Sequence, residues 1–231
     1  MKRGMRIVFY FINYNDSFYL PFLAKHYFKF CERIVMYDQH STDGSRELAL
    51  SLGMEVRLFG GPDLNDQDYL TIKNECWKEC RGKGVSYVIV ADADEFVFID
   101  DLRGTAPKVT GFNMVSEKLP INDITEVNTG APSKDYSKQA IFSPDHIEEI
   151  NFLHGCHRNR IRGRVTSEGN CRLLHFRMIG GVDRIIERHA MYRARMSELN
   201  KRHGMGIHYT HTDTAKRQEW QALKDESKVL F

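Results

Sequence analysis

No stretch of this 231-residue chain approaches the roughly 20 consecutive apolar residues that a membrane-spanning helix needs, so no helical span is expected. Its five cysteines (Cys31, Cys76, Cys80, Cys156 and Cys171) are an odd number without a C-x-x-C pair. That spacing argues against a disulfide framework and against a structural zinc site, which wants two ligand pairs. The set His154, Cys156 and His157 has no such second pair. No internal repeat or low-complexity tract is visible, and no linker divides two independent domains. The basic start, MKRGMRIVFYFINYND, meets Asn13, Asn15 and Asp16 instead of a small-residue cleavage site. It therefore reads as a first strand, and a cytoplasmic location is expected.

What is present is an ordinary globular composition, 42% hydrophobic and 28% charged, in a chain long enough to bury one full core. Net charge is only +2, but residues 156–231 carry 16 Lys and Arg against 8 Asp and Glu, which leaves 17 against 23 for residues 1–155. The basic part, densest at Arg158, Arg160, Arg162 and Arg164, suits an anionic acceptor or peripheral contact with an anionic membrane surface at its inner face. No nucleic-acid partner is expected.

Hydrophobic patterning predicts strands at Arg6–Ile12, Arg33–Tyr37, Met54–Phe59 and Val85–Asp92. Between them it predicts helices from Asp16 or Ser17 to Phe30, from Thr42 or Asp43 to Ser51, and from Asp66 to Cys80. Pro21 falls in a first helical turn, where a missing N–H is harmless. Strand–helix alternation at this spacing argues for an α/β fold with a mainly parallel sheet and ligand chemistry at the carboxyl ends of its strands. Beyond Asp101 the pattern loosens, with strands at Gly111–Val115, Gln139–Phe142 and Arg172–Arg177, an Arg-rich helix over Val182–Asn200, and a polar helix or tail to close.

The most informative segment is VSYVIVADADEFVF, Val85 to Phe98, an apolar run that ends in Asp92, Asp94 and Glu95. Carboxylates at the end of a buried strand are costly unless something neutralises them. Asp92 and Asp94 project to the same side, as alternate strand residues do, and suit a hard divalent cation that also holds a phosphate. The first strand ends at Asn13-Tyr14-Asn15-Asp16 and the second at Asp38-Gln39-His40-Ser41-Thr42-Asp43-Gly44, so in a parallel sheet all three would line one edge.

On YDQHSTDGS, ADADEF and LLHFRM (Leu173–Met178), the chain resembles the family 2 glycosyltransferases of the GT-A fold, in particular their compact bacterial branch with a D-x-D-E-F motif. The resemblance implies one GT-A (Rossmann-like) domain over residues 1–231. Its nucleotide-sugar-binding half would be 1–101 and its small acceptor-side region 102–231. It implies a nucleotide-sugar donor, expected to be UDP-linked, a divalent cation (Mn²⁺ or Mg²⁺), and a carbohydrate or lipid-linked acceptor in surface polysaccharide or lipopolysaccharide assembly. By position, Tyr14 would pack on the base and Asp38 accept from it, while Lys73 and Asn74 contact the nucleotide. Asp92 would reach the ribose or a metal-bound water, Asp94 the cation, and His175 would be a later ligand. The cation would offset charge on the leaving diphosphate.

An inverting transfer needs a carboxylate to take the acceptor hydroxyl's proton. The resemblance places that acid in the acceptor half, before the late histidine, where Asp145 fits by order with Glu148 and Glu149 as rivals, and Glu95 beside the metal is another candidate. Asp43 reads as a helix cap. The rival functions are a nucleotidyltransferase, for which a Gly-rich N-terminal loop with a following Lys is missing, and a phosphatase, which would want D-x-D after the first strand. A catalytically idle sugar- or nucleotide-binding module is the third.

Overall fold

The computed structural model describes residues 4–231. Four parallel strands, β1 (Ile7–Asn13), β2 (Arg33–Asp38), β3 (Glu55–Leu58) and β4 (Tyr87–Asp92), form a sheet in the order β3-β2-β1-β4. The sheet is mainly parallel and flanked by helices, as the alternation predicts. Every residue of β1 is buried, because both sheet faces are covered and a strand between two cores must be apolar throughout. Phe9 and Phe11 face a cluster with Leu20 and Leu23 of α1 (Leu20–Tyr27) and Ala49 of α2 (Ser45–Ser51). Val8, Tyr10 and Ile12 face the opposite cluster, with Leu70 of α3 (Asp66–Glu75) and Trp77 of the tight turn that continues it.

The chain winds outward from β1 to β3 and then returns to the other side of β1 for β4. The strand order therefore reverses between β1 and β4, where open sheets of this kind leave a crevice beyond their carboxyl ends. The register sets Asp92 opposite Ile12, one residue before the end of β1.

A second, mixed sheet is built from β5 (Glu95–Leu102), β6 (Lys108–Ser116), β7 (Thr129–Ser133), β11 (Gly169–Ile179) and β12 (Lys228–Val229), in the order β12-β7-β6-β11-β5. Its 11-residue β11 extends well beyond the short strand predicted at 172–177 and lies between β5, antiparallel, and β6, parallel. β8 (Ile141–Phe142) crosses back to pair with β4, so residues from beyond Asp101 complete the first sheet. β9 (Ile147–Glu149) and β10 (Arg162–Gly163) form a small ribbon.

The helix predicted over Val182–Asn200 is two, α4 (Val182–Ala194) and α5 (Glu198–His203). Met196 bridges to Leu64 and interrupts the helix, and the Ser197 side chain caps α5 by accepting from Asn200 N–H. The closing segment is an ordered helix, α6 (Asp213–Glu226), whose Trp220 packs with Ile185, Met178 and Val115. No described helix is long and apolar enough to cross a membrane.

Candidate active site

A cavity of about 1010 Å³ opens over the carboxyl ends of β1 and β4 and reaches across to β11, α4 and α5. Asp92, Asp94 and Glu95 form its floor, and each acid is met by its own cation. Asp92 accepts from Lys73 Nζ at 2.7 Å; the lysine is fully buried and the carboxylate has a third of its side chain open, on the cavity side. Glu95 accepts from Lys138 Nζ at 2.6 Å, with both side chains 1% exposed, and its other oxygen holds Asp92 N–H at 3.0 Å. Asp94, also 1% exposed, is ion-paired with Arg177. Burial alone would raise the Asp94 pKa, but the Arg177 charge and His175 outweigh it, and the group lies well below the ordinary carboxylate range. Asp92 moves the same way, against its burial, because of Lys73 and Lys138.

Strand register brings these partners together. His175 pairs with Glu95 across β11 and β5, and with Asn113 across β11 and β6. As a result His175 Nδ1 lies 2.8 Å from Asn113 Oδ1, and its Nε2 lies 3.6 Å from Asp94 Oδ2. An imidazole fixed through one nitrogen, with the other turned to a carboxylate, is the arrangement that orients a metal-ligating histidine. The ring is covered by Tyr136, stacked at 3.9 Å. Tyr136 can sit there because Gly111 of β6 has no side chain: a Cβ at that position would lie 2.1 Å from the Tyr136 carbonyl carbon.

Tyr14, Lys73, Asp92, Asp94, Glu95 and His175 line the cavity, whereas Asp38, Asn74 and Asp145 do not. Asp38 is fully buried and saturated, accepting from Ser41 N–H at 2.9 Å, Ser41 Oγ at 2.5 Å and Asn13 Nδ2 at 3.0 Å. Asn74 instead clasps the backbone of Phe152. Asp145 accepts from Gly82 N–H at 2.7 Å. One face of Tyr14 is taken by the Arg195 guanidinium, 3.2 Å from the ring centre, which also donates to Gln39 and Pro62. Asp43 accepts from Ser45 and Ser17 N–H at the start of α2 and of the turn before α1.

Four contributors escape sequence reasoning. Arg177 carries a signal, since it lies two residues after His175 on one strand and so shares its face. Lys138 and Asn113 carry none, because only long-range pairing brings them in. Asp66, read as a helix start, faces the cavity half-buried; burial raises its pKa, and one oxygen is held by Asn200 Nδ2 at 3.0 Å.

Among the described residues no three His, Cys, Asp or Glu side chains enclose a cation by themselves. Were a hard divalent ion bound beside a diphosphate, Asp94 and His175 would be the side chains to hold it, with phosphate oxygens and water completing the shell and Asp94 shared with Arg177. The electrostatics agree. Among the described residues seven carboxylates line the cavity against two Lys or Arg side chains, and adding Lys138 and Arg188, which pair with Glu95 and Asp16, still leaves three acids in excess. A diphosphate entering alone would meet net negative charge.

No protein-family model matches this chain, and no curated protein does. Among solved structures it is similar to glucosyl-3-phosphoglycerate synthase from Mycobacterium tuberculosis, in complex with Mn²⁺, UDP and glucosyl-3-phosphoglycerate. Identity is 14% and the TM-score 0.28, over 40% of this chain and 35% of that one. The overlap leaves more than half of each chain unmatched and assigns no activity here.

Proposed function

We propose that this chain is a glycosyltransferase that moves a sugar from a nucleotide sugar, UDP-linked, to an acceptor hydroxyl with inversion, with a divalent cation held by Asp94 and His175. One observation carries the reading: a strand-end acid cluster, at the point where strand order reverses, forms the floor of a cavity large enough for a nucleotide sugar. A setting in surface polysaccharide or lipopolysaccharide assembly is supported by the sequence resemblance alone.

When bound, the cation supplies charge neutralisation to the departing diphosphate. The protein's own side chains do the rest. Lys73 fixes Asp92 so that its open oxygen faces ribose or a metal-bound water, and Glu95 holds the Asp92 backbone in place. Asn113 keeps the His175 ring turned toward Asp94. Tyr14 offers the base an aromatic surface once Arg195 is displaced from it or shares it. For the proton of the acceptor hydroxyl, Asp145 lies outside the cavity and Glu95 is locked to Lys138. Asp66 meets the requirements of a base better, being open to the cavity and raised in proton affinity.

Calorimetric titration with UDP, with and without Mn²⁺, tests the proposal, followed by metal-dependent hydrolysis of a nucleotide-sugar panel. UDP binding that needs Mn²⁺ and disappears in Asp94→Asn is expected. Binding indifferent to the ion would remove the metal role. Metal-dependent UDP binding without turnover of any donor would favour an idle nucleotide-binding module. In Asp66→Asn, kcat should collapse while UDP affinity is kept.

A further inference from the structure

Part of the lining around the acid floor is made of imidazole and phenol rings. α4 and the segment following α5 bring His189, His208 and Tyr209 to it, while Tyr136 and His157 come from the loops before β8 and β10. Tyr209 sits 5.3 Å from His189 and 4.0 Å from His208, and Tyr136 sits 5.3 Å from His157. Two ring nitrogens in this lining, His189 Nδ1 and His157 Nδ1, are buried without a hydrogen-bond partner among the described residues, and His189 as a whole is 5% exposed. Leaving such a group unpaired costs about 1–3 kcal/mol, so a hydroxyl that reached either nitrogen would gain a bond that the fold's own side chains do not supply.

The charge of that outside group is constrained. Among the described residues only Lys73 and Arg177 bring positive side chains to the cavity surface, and each is already on a carboxylate. Asp66, Asp135 and Glu219 face the same space, and among the described residues no cation lies nearer to them than Arg158, 4.0 Å from Asp135. The His157, His189 and His208 imidazoles add no charge, all three being held below the ordinary histidine range by burial first. Burial first and Arg177 second hold His189 down to about 3, and burial with Lys138 holds His157 to about 4. Arg158, Arg160, Arg162 and Arg164 do not line the cavity.

The geometry points to an acceptor subsite on His157, His189, His208, Tyr136 and Tyr209 that takes an uncharged sugar residue and turns away phosphorylated or acidic acceptors. Neutral imidazole nitrogens and phenol hydroxyls pair with sugar hydroxyls, while the ring surfaces cover C–H faces. The inference rests on the cavity being a transfer site, and its test separates the two ideas.

Histidine Cε1–H resonances of the wild-type protein would be followed by NMR, assigned with His189→Gln and His208→Gln. The titrants are maltose, lactose and mannobiose, and then the 6-phosphates of glucose, galactose and mannose, each with and without UDP and Mn²⁺. At least one neutral disaccharide should shift the His157, His189 and His208 signals together, with every phosphate about tenfold weaker or worse. In Tyr209→Ala the neutral sugar should bind about tenfold more weakly while UDP affinity stays unchanged. In Arg158→Glu/Arg162→Glu the sugar should bind as in wild type. The subsite is refuted if no neutral sugar moves these three signals, or if a phosphosugar moves them at equal or lower concentration. If the neutral sugar binds there but UDP does not bind at all, the sugar site stands and the transferase reading falls.

Discussion

Replacing Lys138 with methionine should destabilise the protein far more than an ordinary surface change, because Lys138 and Glu95 form a pair 2.6 Å apart with each side chain 1% exposed. Removing one partner of such a pair leaves a buried charge, at a cost of about 3–5 kcal/mol. In urea, with a slope of about 2–3 kcal/mol/M for a chain of this size, the midpoint should fall by about 1–2.5 M. Lys138→Met/Glu95→Gln should recover most of the loss, since glutamine still accepts from Asp92 N–H without carrying charge. Urea melts of wild type, both single variants and the double complete the cycle. A single-variant loss under about 1 kcal/mol, or a double variant no better than Lys138→Met, would show that the pair is not the buried, dry contact described here.

Asp94→Asn should abolish Mn²⁺-dependent UDP binding, and Asp94→Ala should also lower stability because it strands the Arg177 guanidinium; parallel calorimetry and thermal melts separate the two effects. Gly111→Ala should displace Tyr136 from His175 and weaken both neutral-sugar binding and activity, with UDP affinity less affected; equal effects on all three would count against the role given to that loop. Stability should fall on acidification from about pH 6.5, because burial holds His26 to about 4 while the unfolded chain binds the proton earlier. The unfolded state takes up more protons between those values, so the stabilisation is complete above the unfolded pKa and lost as pH drops; in His26→Phe the slope of stability against pH over that interval should be shallower.

The first sheet was legible because its strands are buried on both faces and therefore read as unbroken apolar runs, with Gly and Asn-Asp punctuation between them. The acid cluster was legible for the same reason, as three carboxylates at the end of such a run have no other ready explanation. The roles expected of Asp38 and Asn74 depend on side-chain direction, which the sequence does not carry. The STDGS stretch that singles out Asp38 also supplies Ser41, whose N–H and hydroxyl occupy the carboxylate. Lys138 lies in a polar loop indistinguishable from a solvated one until β8 folds back on β4. The break between α4 and α5 was hidden too, because the interruption comes from the tertiary contact of Met196 with Leu64 and not from a Gly or Pro in the segment.

Asp92 closes a strand of one sheet, and Glu95, three residues later, opens a strand of the other. The four residues Asp92 to Glu95 are therefore the hinge pin of the molecule as well as the floor of its cavity. Asp92 is anchored from α3 and Asp94 from β11, 83 residues away from Arg177 along the chain. A fragment ending near Asp101 would hold the acids and Lys73 but neither Arg177 nor Lys138, leaving two buried carboxylates uncompensated. Exchanging the second half between related chains to alter acceptor choice would cut the same ties unless Lys138 and Arg177 travel with their acids. Productive chimeras should therefore keep both cations matched to the hinge, and splitting the chain there should yield pieces that regain the site only on reassembly.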